Sequence, residues 1–297
     1  MAGGQERILR RRIKSVQATR KITKAMELIA ASQISKSQAR IVANRPYRAG
    51  MSRIIVEAAK GDPHAAAKLL GAPEKVQSAV VLSIVGDRGL SGAYNSSVLR
   101  ATERLVLDLT SQGTHVRLFT VGKKAIAYFR FRGLDVERSF LGFADRPEFA
   151  DAREVADVLA APFVAGEVQQ VMVVSMQFNS AANQRVTSRQ LLPLVVDAPA
   201  EDAAPAPLTG YTEFEPEVAQ LLVELAPKAL ESEIFTALLE GAASFHISQQ
   251  RAMAAATDNA DELGRTLTRI MNRARQDSIT TEIMEIVGGA EALRSGK

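Results

Sequence analysis

Apolar residues recur at a helical period along both ends of this chain, over stretches much longer than an ordinary globular helix. In the first segment, from about Glu6 to Ala59, steps of three, four or their sums dominate. The residues on this stripe are Ile8, Ile13, Val16, Ile22, Met26, Ile29, Ile34 and Ile41. We expect one long amphipathic helix that Pro46 kinks or interrupts and that Gly61-Asp62-Pro63 ends.

A second long helix is expected from just after Pro216 to about Ala290, with a possible kink at Pro227. Its clearest register is a heptad seam, with steps of four and three, at Ala256, Ala260, Leu263, Leu267, Ile270 and Ala274. About 70 residues at 1.5 Å each would make a rod of roughly 100 Å, which a domain of about 120 residues cannot cover. Because the seam needs another helix against it, we predict an antiparallel coiled coil of the two ends. Its small side chains, such as Ala254 and Ala255, suit either a close-packed pair or a rod inside a narrow enclosure, and the period does not choose between them.

The middle segment, about Gln77 to Leu194, alternates strand-like and helix-like patterns. Short β-branched runs in VQSAVVLSIVG, HVRLFTVG and QQVMVVSMQF predict buried strands, and NQRVTSRQLLPL predicts a further strand after a turn. Helical patterns lie between them in SSVLRATERLVLDL, KKAIAYFRF and AREVADVLAAPFVAG. This order is typical of a parallel sheet covered by helices.

The predicted fold class is therefore α/β: a long antiparallel coiled coil of the N- and C-terminal helices plus a Rossmann-like α/β domain. The expected organisation is a coiled-coil helix at 1–60, the α/β domain at 75–195, a linker rich in Pro, Ala and acidic residues at 196–213, and a second coiled-coil helix at 214–297.

The composition argues against several kinds of site. There is no cysteine, and the three histidines are far apart in sequence, so we expect no metal site. No run of about 18 apolar residues predicts a membrane span. The net charge of +4 does not by itself imply nucleic acid, and the aromatic residues are too scattered to form stacking platforms, which disfavours a basic coiled-coil adaptor for nucleic acid. The Arg-rich start could be a mitochondrial transit peptide, but its helical pattern runs on without a break, so a protein of a reducing cytoplasm is the simpler interpretation.

A glycine run offers one alternative function. Gly86, Gly89 and Gly92 follow a predicted strand and precede a predicted helix, which is where α/β proteins bind phosphate. The spacing fits neither the dinucleotide fingerprint nor the P-loop, and no Gly-Lys-Ser/Thr follows. A tight strand-to-helix turn is the preferred interpretation, with no cofactor, and a nucleotide-binding α/β protein with helical arms is the alternative.

Several motifs together resemble the gamma subunit of F-type ATP synthases. The C-terminal stretch ITTEIMEIVGGA fits that family's signature at Ile279, Thr280, Glu282, Glu285, Gly289 and Ala290. Similar stretches follow one another in the family's order along nearly the whole chain: LRRRIKSVQATRKITKAMELIAASQISKSQ, SIVGDRGLSGAYN, SRQLLPL, FEPEVAQLL, ALLEGAASF, ATDNADEL and NRARQDSIT. The usual Cys-Gly-Gly of one loop reads Ser91-Gly92-Ala93 here.

The resemblance implies a central rotor shaft that couples proton flow through the membrane sector to ATP synthesis and hydrolysis at the beta subunits. The chain itself would hold no catalytic site. Its partners would be the alpha and beta subunits of the catalytic head, the epsilon subunit and the ring of c subunits. The implied location is peripheral, on the cytoplasmic side of a bacterial plasma membrane.

The resemblance also implies which residues meet the head. Lys21, Lys24 and Met26 would face an acidic loop of beta, and a second group would make polar contacts with another loop: Arg275, Gln276, Thr280 and Glu282. The tip would turn in an apolar sleeve through Ile283, Ile286 and Val287. The alternative without any partner contact is that the polar residues form an ordinary solvent-exposed helix surface and that Met26 packs in the seam.

One stretch departs from the family pattern. Gln249 stands where the family's arginine falls, and Phe245 replaces a usual Glu. Arg251 comes two positions late, which rotates it by about 200° around a helix. A salt bridge carried over from the family is therefore in doubt, and either Gln249 or Arg251 could replace the contact.

Overall fold

The computed structural model describes residues 2–62, 75–194 and 214–295; the predicted linker at 196–213 lies outside these ranges. A long helix opens the described chain and another closes it, with a five-stranded sheet and three shorter helices between them. In chain order the elements are α1 (Ala2–Gly61), β1 (Ser78–Ile84), α2 (Tyr94–Ser111), β2 (His115–Val121), α3 (Lys123–Phe131), β3 (Arg138–Phe140), α4 (Phe149–Val164), β4 (Gln170–Phe178), β5 (Gln184–Leu192) and α5 (Val218–Ser295).

The sheet has the order β3-β2-β1-β4-β5. The first four of these strands are parallel, with Ser78 of β1 beside His115 of β2 and Ala79 beside Gln170 of β4. β5 returns antiparallel to β4 after the turn near Ser180. The α/β prediction is confirmed, but β3 was missed, because a strand of three residues is too short to show a period.

Alternate residues of β1 contribute their side chains to two apolar cores, one on each face of the sheet. Val80, Leu82 and Ile84 pack in a cluster with α4, α5 and the end of α1. Val81 and Val85 face the other way, in a cluster with α2, α3 and one residue of α5. The four side chains of β1 and that of Val85, which directly follows the strand, are at most 2% exposed, so the strand is buried on both faces, as a central parallel strand should be.

The chain divides into two compact units. The first contains residues 1–29 and 250–297, and the second contains residues 30–249. Helices α1 and α5 each contribute residues to both units.

In the first unit the two helices run antiparallel. Thr23 is hydrogen-bonded to Thr257 at 2.8 Å, and Arg20 Nε lies 2.5 Å from Asp261 Oδ1. A Cβ on Gly264 would sit 4.0 Å from Val16. Residue numbers fall along α1 as they rise along α5, so the predicted antiparallel pairing is confirmed within this unit.

The predicted phase of the seam is partly wrong. Leu263 and Ile270 were placed in it but are 49% and 45% exposed. The residues that pack instead are shielded at steps of four and three: Met253, Thr257, Ala260, Gly264, Leu267, Met271 and Ala274. On α1, similarly, Ile8, Ile22 and Ile29 are exposed, whereas Leu9, Ile13 and Thr23 are buried. Small or hydroxyl side chains occupy several of these seam positions, among them Thr257, Ala260 and Gly264, and a search for large apolar residues passes over them.

Helix α1 continues through Pro46, so the proline does not interrupt it, and the kink that was offered as the other outcome stays a prediction. Contacts to α5 hold the helix on both sides of the proline. Asn44 Nδ2 donates to Thr236 Oγ1 at 2.8 Å, and Arg48 makes a two-pronged contact with Glu233 at 2.6 and 3.1 Å. Pro46 is exposed, and a proline inside a helix destabilises it, because its ring clashes with the preceding turn and one backbone hydrogen bond is lost. The contacts of Asn44 and Arg48 with α5 offset this destabilisation.

Candidate partner-contact surface

The last turns of α5 present their side chains to solvent. Every residue from Ile279 to Glu291 is exposed. Seven residues separate Thr23 from Val16, and seven separate their partners Thr257 and Gly264; two more heptads bring α1 to Ala2 and α5 to Ser278. The exposed run of α5 therefore begins level with the first described residue of α1. Beyond this point α5 continues without α1 beside it, as a single helix.

Large apolar side chains stand on this single helix without cover. The three predicted tip residues, Ile283, Ile286 and Val287, are 55%, 71% and 58% exposed, and Ile279 and Met284 are exposed beside them. A contiguous apolar patch of this kind marks a binding surface more often than isolated exposed leucines do.

The four polar candidates share a face with the apolar tip. With about 100° per residue, Arg275 and Glu282 point nearly the same way as Ile286, and the directions of Gln276 and Thr280 enclose that of Val287. All seven predicted C-terminal residues fall within an arc of about 160°, away from the seam. All four polar side chains are exposed, and Ser278 Oγ donates to Glu282 at 3.4 Å.

The three N-terminal candidates lie on α1 in the same unit. Lys21 and Lys24 are exposed, and Lys24 Nζ is 3.0 and 3.1 Å from the two carboxylate oxygens of Glu27. Met26 is half-buried, so part of its side chain packs within the unit and part faces solvent. The structure places these residues on a different helix from the seven C-terminal ones.

A groove between α1 and α5 was not anticipated from the sequence. It has a volume of about 520 Å³ and combines small residues, Ala260 and Gly264, with the guanidinium groups of Arg20, Arg265 and Arg269. Asp261 pairs with Arg20, so the other two arginines give the groove its positive charge. The signal in the sequence was Gly264, whose missing side chain leaves space beside Val16.

The carboxyl edge of the parallel strands is filled by the chain itself. The Asp87 carboxylate accepts hydrogen bonds from the backbone N–H groups of Lys123 at 3.1 Å, Gly142 at 3.0 Å and Ala144 at 3.3 Å. These donors sit where an α/β protein would offer N–H groups to a phosphate. A Cβ on Gly86 would lie 2.9 Å from the ring of Phe245, so this glycine is required by close packing against α5. The glycine run thus makes a packed strand-to-helix turn, which disfavours the nucleotide-binding alternative.

A buried histidine lies beside this edge. His246 Nε2 is 3.1 Å from the carbonyl oxygen of Asp145, and because a carbonyl only accepts, Nε2 carries the proton. Burial lowers the pKa of His246, and burial raises the pKa of the Asp145 carboxyl although Arg88 pairs with it at 2.9 Å. The imidazole is therefore neutral at pH 7.

Three further findings bear on function. Within the described ranges, no group of three or more His, Cys, Asp or Glu side chains is placed to hold a metal ion. Over the same residues, none of the helices has the length and apolar character needed to cross a membrane. At the position where the sequence departs from the family, Gln249 is 9% exposed and Arg251 is exposed.

Known proteins resemble this chain along most of its length. The family model described as ATP synthase matches residues 5–293. The ATP synthase gamma chain of Parafrankia sp. (strain EAN1pec) is 46% identical over 297 residues, which is 99% of each chain.

Two cryo-EM structures of mitochondrial ATP synthase contain a chain of the same fold. The one from Euglena gracilis has a TM-score of 0.68 and 16% identity, covering 99% of this chain and 96% of that one. The one from Tetrahymena thermophila has a TM-score of 0.61 and 22% identity, covering 79% and 99%. By sequence and by fold, this chain belongs to the family of ATP synthase gamma chains.

Proposed function

We propose that this gamma chain, the central stalk of the F1 rotor, couples proton flow through the membrane sector to ATP synthesis and hydrolysis at the beta subunits through its exposed helical tip. The observation that carries the proposal is the apolar run on single-helix α5, with Ile286 71% exposed. An apolar helix end of this kind gains free energy when a sleeve covers it. On this proposal the chain holds no catalytic site and transmits torque.

The coupling follows from asymmetry. A ring of three beta subunits around one rod cannot present three identical sites, because each site meets a different face of the rod. If those contacts differ in free energy, the nucleotide affinities of the sites differ too. Turning the rod exchanges the affinities, and the coupling between rod position and binding is reciprocal.

The polar contacts of the rod are proposed to be weak and numerous. Lys21, Lys24 and Met26 would meet an acidic loop of beta, and the polar face at Arg275, Gln276, Thr280 and Glu282 would meet a second loop. Exposed ion pairs are worth about 0–1 kcal/mol each, which suits a surface that must slide. Covered apolar side chains at the tip would supply the larger share of the affinity.

The remaining partners follow from membership of the family. We place the epsilon subunit and the ring of c subunits against this chain, with the assembly peripheral to the cytoplasmic side of a bacterial plasma membrane. The similar chains lie in a central stalk with c-ring from Tetrahymena thermophila and in an F1 with c-ring from Euglena gracilis, which supports this placement.

Reconstitution with alpha and beta subunits tests the proposal. The full chain should assemble a head with multisite ATPase activity, and removal of residues 279–297 should weaken assembly or torque while leaving the rest of the chain folded. A double substitution of Lys21 and Lys24 to Gln should weaken coupling by a smaller factor. A chain that never enters the complex would overturn the proposal.

A further inference from the structure

The antiparallel helix pair of the first unit has two sides that differ in chemistry. A residue one position after a seam residue is rotated about 100° to one side, and a residue one position before it is rotated about 100° to the other. Because the helices are antiparallel, the same rotation on both helices leads to the same side of the pair. The groove with the arginines is one such side, since Gln17, Asp261 and Thr268 line it together and each follows a seam residue.

The opposite side is apolar and open to solvent. Its residues each precede a seam residue, as Ile22 precedes Thr23 on α1 and Leu263 precedes Gly264 on α5. The large aliphatic side chains there are between 45% and 61% exposed: Ile8, Ile22, Ile29, Leu263 and Ile270. From Ile8 to Ile29 this apolar side extends for about 30 Å along the pair, which is more than scattered surface residues would produce.

The apolar side carries positive charge only. Over residues 5–29 of α1 and 252–273 of α5, the positions that precede a seam residue include two arginines, Arg12 and Arg273, and no Asp or Glu. The whole first unit has fifteen Lys and Arg against nine Asp and Glu, a formal charge of +6, whereas the second unit has −2. The exposed apolar surface therefore belongs to the basic unit of the chain.

This combination fits an anionic lipid surface. Aliphatic side chains on one side of a basic amphipathic helix enter the boundary between the lipid head groups and the acyl chains. Arginines beside them attract the lipid phosphates, and no carboxylate on this side is present to repel them. A second copy of the chain is disfavoured as the occupant, because two units of charge +6 repel each other when they lie side by side.

We propose that the chain, before it is assembled with other subunits, binds anionic membranes through the apolar side of its first unit. The two helices lie flat on the bilayer, with the groove turned toward water. The lipid binding stands on the apolar side and its charge alone. Its consequence, that an unassembled chain waits at the surface where the membrane sector lies, rests on the proposed function.

Two single cysteines in this cysteine-free chain test which side meets the lipid. Ser15→Cys lies on the apolar side and Gln17→Cys on the groove side; both positions are exposed and about 200° apart on α1. Each full-length variant carries a polarity-sensitive fluorophore and is mixed with vesicles of equal parts phosphatidylglycerol and phosphatidylcholine. The emission at Ser15→Cys should move to shorter wavelength and that at Gln17→Cys should not. Vesicles of phosphatidylcholine alone should move neither.

Co-sedimentation with the same vesicles tests the side chains. Ile22→Ser with Leu263→Ser should weaken binding to the anionic vesicles about tenfold or more, because two half-exposed aliphatic side chains are removed. Leu107→Ser with Val164→Ser is the matched control, since these residues are 54% and 83% exposed but lie in the second unit, and it should bind as the wild type does. Removal of residues 279–297 should leave the binding in place, because the tip is not part of the apolar side.

Equal emission shifts at the two cysteines would overturn the proposal, and so would binding that is lost with the tip but kept in Ile22→Ser with Leu263→Ser. A shift at Ser15→Cys that grows with chain concentration and needs no vesicles would assign the apolar side to a second copy instead. The labelled chains keep both helices intact, so a poorly folded serine variant leaves the test decisive. No alpha or beta subunit is used, so failure here and failure of the reconstitution are distinguishable.

Discussion

Thr23 and Thr257 join the two helices of the first unit by a hydroxyl-to-hydroxyl hydrogen bond of 2.8 Å, at a seam position where coiled coils usually carry a large apolar side chain. Each hydroxyl also lies within reach of a carbonyl of its own helix, Arg20 at 3.0 Å for Thr23 and Met253 at 2.9 Å for Thr257. Two hydroxyls have two protons, so at most two of these three contacts exist at any moment.

Replacing one of these threonines should lower the free energy of unfolding almost as much as replacing both. Thr23→Val leaves the Thr257 hydroxyl with its own carbonyl but without its partner, at a cost of about 1 kcal/mol. The double change to Val is apolar on both sides and of similar shape, so its cost should be little greater than that of one change alone. Hydrogen exchange of amides in α1 around Thr23 measures both, and a double variant that loses twice as much protection as each single would contradict this.

The two glycines in the middle of α5 should respond oppositely to alanine. A Cβ on Gly264 meets only Val16, at 4.0 Å, so Gly264→Ala should raise the free energy of unfolding by up to about 1 kcal/mol through helix propensity. A Cβ on Gly241 would lie 3.2 Å from the Tyr94 hydroxyl and 3.5 Å from Ile84, which cancels that gain or reverses it. Thermal unfolding compares the two variants. Equal shifts in Tm would show that packing around the new Cβ does not decide whether alanine stabilises or destabilises the chain.

Acid should destabilise the second unit partly through His246. Burial lowers the pKa of this imidazole in the folded chain, so below the unfolded pKa of about 6.5 the unfolded chain binds more protons. Stability is therefore full above this pH and is lost as pH falls through the lowered folded pKa. Burial raises the pKa values of Asp145 and Glu240, and these contribute with the opposite sign, because the folded chain binds their protons first.

The pH profile of unfolding isolates the histidine. His246→Gln can still donate to the Asp145 carbonyl but does not titrate, so the loss of stability between pH 7 and pH 5 should be smaller than in the wild type. Identical profiles for the two proteins would mean that His246 does not carry this dependence. His115→Gln is the control, since His115 is exposed and should leave the profile as it is.

Substitutions at the tip should separate assembly from stability. Ile283→Ser with Ile286→Ser changes side chains that are 55% and 71% exposed, so the free energy of unfolding should change by about 0.5 kcal/mol or less per site. Binding to alpha and beta subunits should weaken at least tenfold if a sleeve covers both residues. Val164→Ser, on α4 and 83% exposed, is the control that should affect neither quantity. Equal effects of the tip and control variants on binding would remove the tip from the interface.

The period of the sequence predicted the elements better than it predicted their faces. Both long helices and the β-branched strands were found, because their patterns extend over many residues. The prediction of which residues face the seam was wrong at Leu263 and Ile270. Ala260, Leu267 and Ala274 fit two heptad patterns, one that includes Leu263 and Ile270 and one that includes Gly264 and Met271. Thr257 and Gly264 line the seam instead: the Thr257 hydroxyl is hydrogen-bonded to Thr23, and a Cβ on Gly264 would lie 4.0 Å from Val16. The contacts of Asp87 with the backbone of Lys123, Gly142 and Ala144 could not be predicted from the sequence, because they join segments that are far apart in the chain.

The most direct test of the central claim is to watch this chain turn. A bead or fluorophore attached to an exposed residue of α4, such as Val164→Cys in this cysteine-free chain, reports its orientation in a surface-fixed complex with alpha and beta subunits. ATP should drive rotation in one direction, and removal of residues 279–297 should reduce the torque. ATP hydrolysis by an assembled complex in which the label stays fixed would contradict the rotor account.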